Sequence, residues 1–356
     1  MAVENDFKVD GYFPGLGKLA DANKYHEPID LNGISKDLSF EFLEKMIQIR
    51  CAEETIADGI NAQQVRCPCH LAIGQEAVPT ALAPSINKGD KVFGAHRSHA
   101  HYLALKGDLY KLFAEVLGKE DGCSHGMGGS MHLIAKEHQL YGTVPIVGAT
   151  IPIATGAGLA SKMNGNNELS VSFFGDGSAE EGVLHESLNL AASMKLPVIY
   201  ICENNLFSSH LHIKLRQPGD SIARYADAHC IPTISMDGND IVELYRIMGK
   251  AAQMCRDGNG PVFIEAVTYR WRGHVGPRED IDVGVQRKVD LELWKRRDPI
   301  KRLWRAIMDK YYLPSDALDC IWQRQRNECN QQWSNALQAD FPDEKELINR
   351  VYTNLN

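Results

Sequence analysis

The segment GDGSAEEGVLHESLNLAASMKLPVIYICENN, residues 175–205, indicates the fold of this chain. An apolar run, residues 169–174, precedes it and predicts a short buried strand. Residues 182–195 carry apolar side chains at helical spacing, and residues 197–202 form a second apolar run that suits a strand. A strand, a helix and a strand over this length predict a right-handed crossover between parallel strands. The sequence therefore predicts an α/β fold, a parallel sheet flanked by helices.

Each of the two predicted strands ends in polar residues. Gly175-Asp176-Gly177 follows the first strand and Asn204-Asn205 follows the second, with 26 residues between the two motifs. Ligands of parallel sheets bind outside the carboxyl ends of the strands. Asp176 and Asn205 are therefore expected side by side, as oxygen ligands of a cation such as Mg²⁺ that also binds phosphate oxygens. Glycines on either side of Asp176 let the backbone approach those phosphates. The alternative is a glycine-rich turn and a polar strand end with no ligand.

Length and composition limit the class of protein. The 356 residues are enough for one large α/β domain or two ordinary domains, and 44% hydrophobic and 24% charged residues are ordinary for a globular protein. A formal net charge of −8 disfavours a nucleic-acid surface, and no apolar run is near the length of a membrane span. The first residues, MAVENDFKVDGYFPG, are not typical of a signal or transit peptide. Nine scattered cysteines favour a reduced compartment, so we expect a cytoplasmic protein.

Three regions are expected along the chain. Residues 1–38 suggest an extended arm that packs on a partner chain, residues 39–288 the α/β domain that binds the cofactor, and residues 289–356 a C-terminal helical region. Ser39 is expected to cap the first helix, which runs to about Asn61. The other predicted elements are helices from residue 76 and at residues 110–117, 151–163 and 241–256, a glycine-rich loop at 120–132 and a strand at 261–269.

Several motifs in family order carry a resemblance that covers roughly residues 40–280. They are His70-Leu71 with Gly74-Gln75-Glu76-Ala77, His96-Arg97-Ser98-His99, His125-Gly126 to Ser130-Met131-His132, Ile146-Val147-Gly148-Ala149, the GDG and NN pair, and Tyr269-Arg270-Trp271-Arg272-Gly273-His274. The GDG and NN pair resembles the diphosphate-anchoring motif of thiamine diphosphate (ThDP) enzymes. The whole set resembles the alpha subunit of the ThDP-dependent first component of 2-oxo acid dehydrogenase complexes, which include pyruvate, branched-chain and acetoin dehydrogenases.

The resemblance implies a cofactor site. Mg²⁺ is expected on Asp176, on the Asn205 side chain and on the carbonyl of Phe207. The residues expected to contact ThDP are Arg97, His96, Gly175, Gly177 and Ser178 at the diphosphate and Val147 at the aminopyrimidine. His96 stands where the family has Tyr, and Glu180 stands where it often has Asn, for which the sequence offers no reason. The alternatives are a surface salt bridge for Arg97 and simple core packing for Val147 and its neighbour Ile146.

The resemblance also implies three catalytic histidines, His70, His99 and His274. Ionisation near neutral pH suits imidazoles to substrate carboxylate binding and to proton transfer. Arg270 and Arg272 precede His274, and together they predict a cationic mouth for an acidic substrate. A structural histidine is the alternative for each. The histidines of the HRSHAH segment, residues 96–101, are not expected to share a metal ion.

The function implied by the resemblance is the ThDP- and Mg²⁺-dependent oxidative decarboxylation of a small, pyruvate-like 2-oxo acid. The acyl group would pass to the lipoyl group of an acyltransferase component. A separate beta subunit would supply the activating carboxylate, so an α₂β₂ heterotetramer is expected. Two alternatives are a carboligase or transketolase-like transferase without a lipoyl partner, and a non-catalytic scaffold with a relic Mg²⁺ site. The loop of residues 275–284 departs from the family pattern and leaves the acid and the acceptor open.

Overall fold

The computed structural model describes residues 15–281, 287–312, 314 and 316–350, without the side chains of residues 347 and 348. Residues 1–14 of the predicted arm and residues 282–284 of the divergent loop therefore lie outside the described residues. The described part of the arm packs on this chain itself, since the carbonyls of Leu19, Glu27 and Leu31 accept hydrogen bonds from Arg297, Arg302 and Lys310. The expectation that the arm also packs on a partner chain stays a prediction.

Helices and strands alternate through most of the described chain. The α-helices are α1 (Lys36–Asn61), α2 (Ala77–Leu82), α3 (His99–Ala104), α4 (Leu109–Val116), α5 (Thr150–Asn164), α6 (Gly182–Ser193), α7 (Ala223–Ala228), α8 (Ile241–Arg256), α9 (Lys288–Lys295), α10 (Pro299–Tyr311), α11 (Ala317–Gln338) and α12 (Glu346–Asn349). The strands are β1 (Lys91–Gly94), β2 (Leu140–Thr143), β3 (Ser170–Gly175), β4 (Val198–Asn204), β5 (Phe207–Ser208), β6 (Leu211–His212), β7 (Thr233–Asp237) and β8 (Val262–Val267). None of the described helices is long and apolar enough to cross a membrane.

Six strands form one parallel sheet in the order β2-β1-β3-β4-β8-β7, and β5 and β6 form a small antiparallel hairpin. Strand β3 pairs with β4 over its full length, so that Gly175 lies opposite Glu203. The predicted strand, helix and strand of residues 169–202 are thus β3, α6 and β4, and the predicted α/β fold is confirmed. Because every strand of this sheet runs in the same direction, the carboxyl ends of all six lie at one edge.

The sheet is buried on both faces, as β4 illustrates. All seven of its residues are buried. Ile199 and Ile201 pack in one core cluster with apolar residues of α1, α2, α4 and α8, whereas Val198, Tyr200 and Cys202 pack in a second cluster with α6, α7 and α9. Successive side chains of a strand point to opposite faces. Burial on both faces explains why these strands are continuous apolar runs rather than alternating ones.

The first helix begins four residues earlier than predicted. Ser35, not Ser39, is the cap, since its Oγ accepts a hydrogen bond from the backbone N–H of Leu38 at 3.1 Å. Ser39 is buried inside α1, where its hydroxyl donates to the carbonyl of Lys36. The prediction of Ser39 as the cap was therefore wrong. Asp37 in the first turn also favours the earlier start, because a carboxylate stabilises the positive end of the helix dipole.

One buried carboxylate orders the predicted glycine-rich loop of residues 120–132. Glu115, on α4, is fully buried. Its two oxygens accept hydrogen bonds of 2.6–3.0 Å from the backbone N–H groups of Ser124, Gly126, Gly128 and Gly129. Burying a carboxylate is costly unless its oxygens are hydrogen-bonded. Glu115 and the loop therefore stabilise each other, and the loop has a defined path beside the sheet edge.

Candidate active site

A cavity of about 170 Å³ lies at the carboxyl edge of the sheet. Its walls come from the segments that follow β1, β2, β3, β4 and β8, together with residues near α2. The predicted site residues that line it are His70, His96, Arg97, Val147, Gly175, Asp176, Gly177, Ser178, Asn205, Phe207 and His274. His99 is the predicted site residue that does not line it. The topology therefore brings together chain segments as far apart as residues 70 and 274.

The two Asn residues at the end of β4 have different positions. Asn204 is fully buried, its Nδ2 donates to the Glu265 carboxylate at 2.7 Å, and its Oδ1 accepts from the N–H of Leu206. Asn205 lines the cavity beside Asp176, and its Oδ1 accepts weakly from the N–H of Phe207 at 3.3 Å. Asn204 thus fixes the turn that directs Asn205 and Phe207 to the cavity.

The glycines of the GDG motif leave the backbone open at the cavity wall. A Cβ atom on Gly175 would meet nothing within 4 Å, so the space above this residue is free. A Cβ atom on Gly177 would clash with the Ser208 Oγ, so a side chain there would displace the β5 segment. An open backbone beside a carboxylate and an amide oxygen fits a hard cation that bridges to phosphate oxygens.

Arg216 is a partner of Asp176 that sequence reasoning missed. Its guanidinium forms ion pairs with the carboxylates of both Asp176 and Glu180, and the Gln217 amide donates to Glu180 at 3.0 Å. Burial raises the pKa of Asp176, and the positive charge of Arg216 opposes this rise. Glu180 therefore faces Arg216 and does not line the cavity. Its pairing with Arg216 explains why a carboxylate can stand at this position, for which the sequence alone offered no reason.

Arg97 is a buried cation at the cavity wall. Only 7% of its surface is exposed, and its Nη1 and Nη2 donate to the carbonyls of Leu71 at 2.6 Å and His274 at 3.3 Å. Burial, together with the positive charge of Arg270, lowers the pKa of Arg97 to about 9. No carboxylate of the described residues forms an ion pair with it. The surface salt bridge is thus excluded, and a buried guanidinium without a counter-ion favours an anionic ligand.

Three histidine rings lie in contact on one wall of the cavity. The ring centroids of His70 and His96 are 4.5 Å apart, those of His70 and His274 are 5.0 Å apart, and those of His96 and His274 are 5.6 Å apart. Burial, with the nearby charge of Arg97, lowers the pKa of His70 to about 3 and that of His274 to about 4. Both pKa values lie below the near-neutral range that the sequence leads us to expect for these two imidazoles.

His99 lies behind the cavity wall. It is fully buried, with Nδ1 2.9 Å from the Glu53 carboxylate and Nε2 2.8 Å from the Ser130 hydroxyl. Burial alone lowers the pKa of His99, but the charge and hydrogen bond of Glu53 outweigh it, so that the pKa lies above its usual value. This geometry joins α1 to the glycine-rich loop. The proton-transfer role of His99 stays a prediction.

Glu53→Gln is expected to reverse the pH dependence that His99 contributes to stability. In the native chain the stabilisation is fully present below the ordinary histidine pKa of about 6.5 and is lost as the pH rises through the raised pKa of the folded state. In the variant the carboxylate is gone and burial dominates, so the folded pKa of His99 falls below its ordinary value and stability is lost as the pH falls. The free energy of unfolding measured against pH for both proteins checks this, and parallel curves would contradict it.

The two arginines of the predicted cationic mouth bond to groups of their own loop. Arg270 is buried, donates to the carbonyl of Arg272 at 3.0 Å and lies 3.5 Å from the Asp280 carboxylate, while Arg272 donates to the carbonyl of Pro277. Neither arginine lines the cavity. Asp280 also accepts from the backbone N–H of His274 at 2.6 Å. The two guanidinium groups thus donate hydrogen bonds to carbonyls and a carboxylate within a tight loop, and neither arginine lies at the cavity as an unpaired cation.

Val147 and Ile146 are exposed by 46% and 66% in the single chain. Simple core packing of these two residues is therefore excluded. Val147 lines the cavity, and Pro145 lies beside it on the same wall. The contact of Val147 with the aminopyrimidine stays a prediction.

Comparison with known proteins gives a consistent result. Residues 44–345 match the family described as "Dehydrogenase E1 component". The mitochondrial pyruvate dehydrogenase E1 component subunit alpha of Dictyostelium discoideum is 35% identical over 336 residues, which cover 94% of this chain and 88% of that protein. The corresponding subunits of Rickettsia felis and Rhizobium meliloti are 33% and 34% identical, and the aligned residues cover 89% of this chain and 97% and 90% of those proteins.

Proposed function

The chain belongs to the dehydrogenase E1 component family, and on this premise we propose that it is the alpha subunit of a ThDP- and Mg²⁺-dependent 2-oxo acid dehydrogenase with a pyruvate-like substrate. One observation carries the proposal. The same cavity is lined by the buried oxygen ligands Asp176 and Asn205 and by the buried guanidinium of Arg97, which pairs with no carboxylate of the described residues. A metal diphosphate satisfies both features, because its cation needs oxygen ligands and its phosphates need a cationic donor.

The residues of this chain fit the cofactor. Mg²⁺ would be held by the Asp176 carboxylate, the Asn205 amide oxygen and the Phe207 carbonyl, and the diphosphate by Arg97 and the backbone N–H groups beside Gly177. His96 and Val147 would contact the phosphate and the aminopyrimidine. When bound, ThDP supplies the electron-accepting ring that allows carbon dioxide to leave a 2-oxo acid. The role of the chain is to bind and orient that ring, with His70 and His274 on the wall of the same cavity.

The size and surroundings of the cavity support a two-chain site. A volume of about 170 Å³ is below the roughly 300–1,000 Å³ of ordinary ligand pockets. The exposed Val147 lines it, and its neighbour Ile146 is also exposed. We therefore include in the proposal a beta subunit that completes the site in an α₂β₂ assembly and a lipoyl-bearing acyltransferase that accepts the acyl group. All nine cysteines are free thiols, which supports a cytoplasmic location.

The chain alone is expected to bind ThDP weakly and to release no carbon dioxide from pyruvate, because the activating carboxylate is missing. Mixing with its beta subunit should restore both binding and turnover, and a lipoyl acceptor should then become acylated. Carbon dioxide release is measured with the chain alone, with the beta subunit, and with the beta subunit and lipoyl acceptor. Release by the chain alone would contradict the two-chain site. Turnover without acylation of the lipoyl acceptor would favour a carboligase, and cofactor binding without turnover would favour a scaffold.

Arg97→Ala is expected to weaken ThDP binding by roughly 1.5–3 kcal/mol, the range for hydrogen bonds to a charged group. The loss follows because Arg97 is the buried guanidinium that lines the cavity. Calorimetric titration of ThDP with Mg²⁺ present measures it. Arg278→Ala is the matched control, since Arg278 lies outside the cavity lining. An equal loss in both variants would assign the effect to general charge rather than to the diphosphate contact.

A further inference from the structure

The histidine cluster of His70, His96 and His274, whose residues also line the proposed cofactor cavity, has the composition of a metal site. One ring nitrogen from each of the three lies within 4.8 Å of the others. His70 is only 7% exposed, and its Nδ1 is buried without a hydrogen-bond partner. Among the described residues no side chain or backbone group hydrogen-bonds any of the three rings. A buried imidazole nitrogen without a partner is costly, and a metal ion would satisfy it.

The other histidines of the HRSHAH segment do not join this cluster. His99 has both ring nitrogens in contact with Glu53 and Ser130. His101 packs against the ring of Phe173 at a centroid distance of 4.1 Å. His96 instead faces two histidines from distant parts of the chain, which no local spacing could indicate.

We propose that His70, His96 and His274 bind a divalent transition-metal ion of the zinc type through three imidazole nitrogens. Three histidines and an open fourth position form a known donor set for Zn²⁺, and imidazole suits ions of this class better than Mg²⁺. Metal–nitrogen bonds of about 2.0–2.1 Å place tetrahedral ligand atoms roughly 3.4 Å apart. Rotations of the three rings that bring their nitrogens from within 4.8 Å to roughly 3.4 Å of one another would form the metal site. The cavity supplies the open position for water or another small ligand.

The charges around the cluster permit a cation. Arg97 is the guanidinium that lines the cavity, but Asp176 and Glu203 contribute two carboxylates to the same lining. Burial lowers the pKa of His96 to about 2, so its ring is neutral at neutral pH and one of its two nitrogens carries a free lone pair for a metal ion. Arg270 lies behind the wall beside Asp280 and does not line the cavity. Asp176 is paired with Arg216, so the ion would meet three neutral ligands and a lining in which the Glu203 carboxylate opposes the charge of Arg97.

Occupation of this site would exclude the proposed cofactor or substrate, because the cluster shares its cavity with Asp176 and Arg97. This consequence rests on the proposed function, whereas metal binding does not. His96 is the residue that makes the cluster differ from the family pattern, in which Tyr is expected. An inhibitory transition-metal site would then be a property of this chain that a tyrosine in place of His96 would remove.

The test is a titration of the full, metal-free chain with Co²⁺, a visible reporter of tetrahedral nitrogen ligands, followed by displacement with Zn²⁺. The variants are His96→Tyr, which restores the expected family residue, and His274→Gln, which removes a second ligand if the first variant does not fold. His138→Gln is the matched control, since His138 lies outside both the cluster and the cavity lining. Thermal unfolding confirms that each variant is folded.

The expected result is one Co²⁺ per chain with tetrahedral absorption, a loss of affinity of about tenfold or more in His96→Tyr and His274→Gln, and no loss in His138→Gln. In a second titration with the beta subunit present, where ThDP is expected to bind tightly, addition of ThDP with Mg²⁺ should weaken Co²⁺ binding. Absence of Co²⁺ binding, or equal affinity in the native chain and in the folded variants of the cluster, would overturn the site. If ThDP and Mg²⁺ leave Co²⁺ binding unchanged, the proposal that the metal inhibits cofactor binding is overturned. The existence of the metal site is decided by Co²⁺ affinity alone, without any assay of decarboxylation.

Discussion

Asp176→Asn is expected to lower the affinity for ThDP in the presence of Mg²⁺ by on the order of 100-fold or more and to abolish decarboxylation in the assembled enzyme. Removing a residue that only hydrogen-bonds to a metal ligand typically lowers metal affinity by about 10–100-fold. Asp176 is the proposed anionic ligand itself, so a loss at least as large is expected. It is 1% exposed at the end of β3, on the cavity wall beside Asn205. An amide keeps the shape of the side chain but loses the charge that Mg²⁺ requires. Calorimetric titration of ThDP with and without Mg²⁺ measures the effect.

Glu180→Gln is the matched control for this prediction. It makes the same chemical change four residues away, on a carboxylate that contacts Arg216 and Gln217 and does not line the cavity. ThDP affinity should change little in this variant. In Asp176→Asn the guanidinium of Arg216 keeps its pairing with Glu180, so thermal unfolding should remain cooperative. Native ThDP affinity in Asp176→Asn, or the same loss in both variants, would remove Asp176 from the metal site.

The elements with a strong local signal could be predicted from the sequence. Strands β3 and β4 are continuous apolar runs that end in glycine or asparagine, and such runs are typical of parallel strands buried on both faces. Helix α8 was predicted close to its observed bounds, residues 241–256, and in the structure Asp240 caps it by accepting from the N–H of Glu243. The GDG and NN motifs follow neighbouring strands, so their meeting at one edge follows from the parallel topology alone.

The contacts that set the properties of the site could not be predicted, because they join residues far apart in the chain. Arg216 is 40 residues from Asp176, and Glu53 is 46 residues from His99. The residue type alone does not show whether a charged side chain is buried. The ion-pair partner of a buried charge depends on tertiary packing, which the local spacing of residues does not define. For the same reason, the sequence could not show that Arg270 hydrogen-bonds within its own loop rather than lining the cavity. It also explains Ser39, since Ser35 has equal capping propensity one turn earlier.

Arg50→Met is expected to lower the free energy of unfolding by about 3–5 kcal/mol, the usual loss when one member of a buried ion pair is removed. Arg50 is 3% exposed on α1 and pairs with the carboxylates of Glu76 and, at 3.2 Å, Asp298. Its guanidinium also lies 4.0 Å from the centre of the Trp271 ring. Methionine fills much of the space, but it leaves two carboxylates buried without this counter-charge. Chemical denaturation measures the loss.

Arg324→Met is the matched control, because Arg324 forms a surface ion pair with Glu44 at 2.8 Å and its side chain is 57% exposed. Exposed pairs contribute about 0–1 kcal/mol, so this variant should unfold almost as the native chain does. The Arg50 variant should also bind ThDP less tightly, since Glu76 accepts from the N–H of Gly74 and adjoins Gln75 in the cavity wall. Equal stability losses in the two arginine variants would show that the buried cluster does not hold α1 to the site. A large loss in Arg50→Met alone would identify this cluster as the support on which the cavity wall depends.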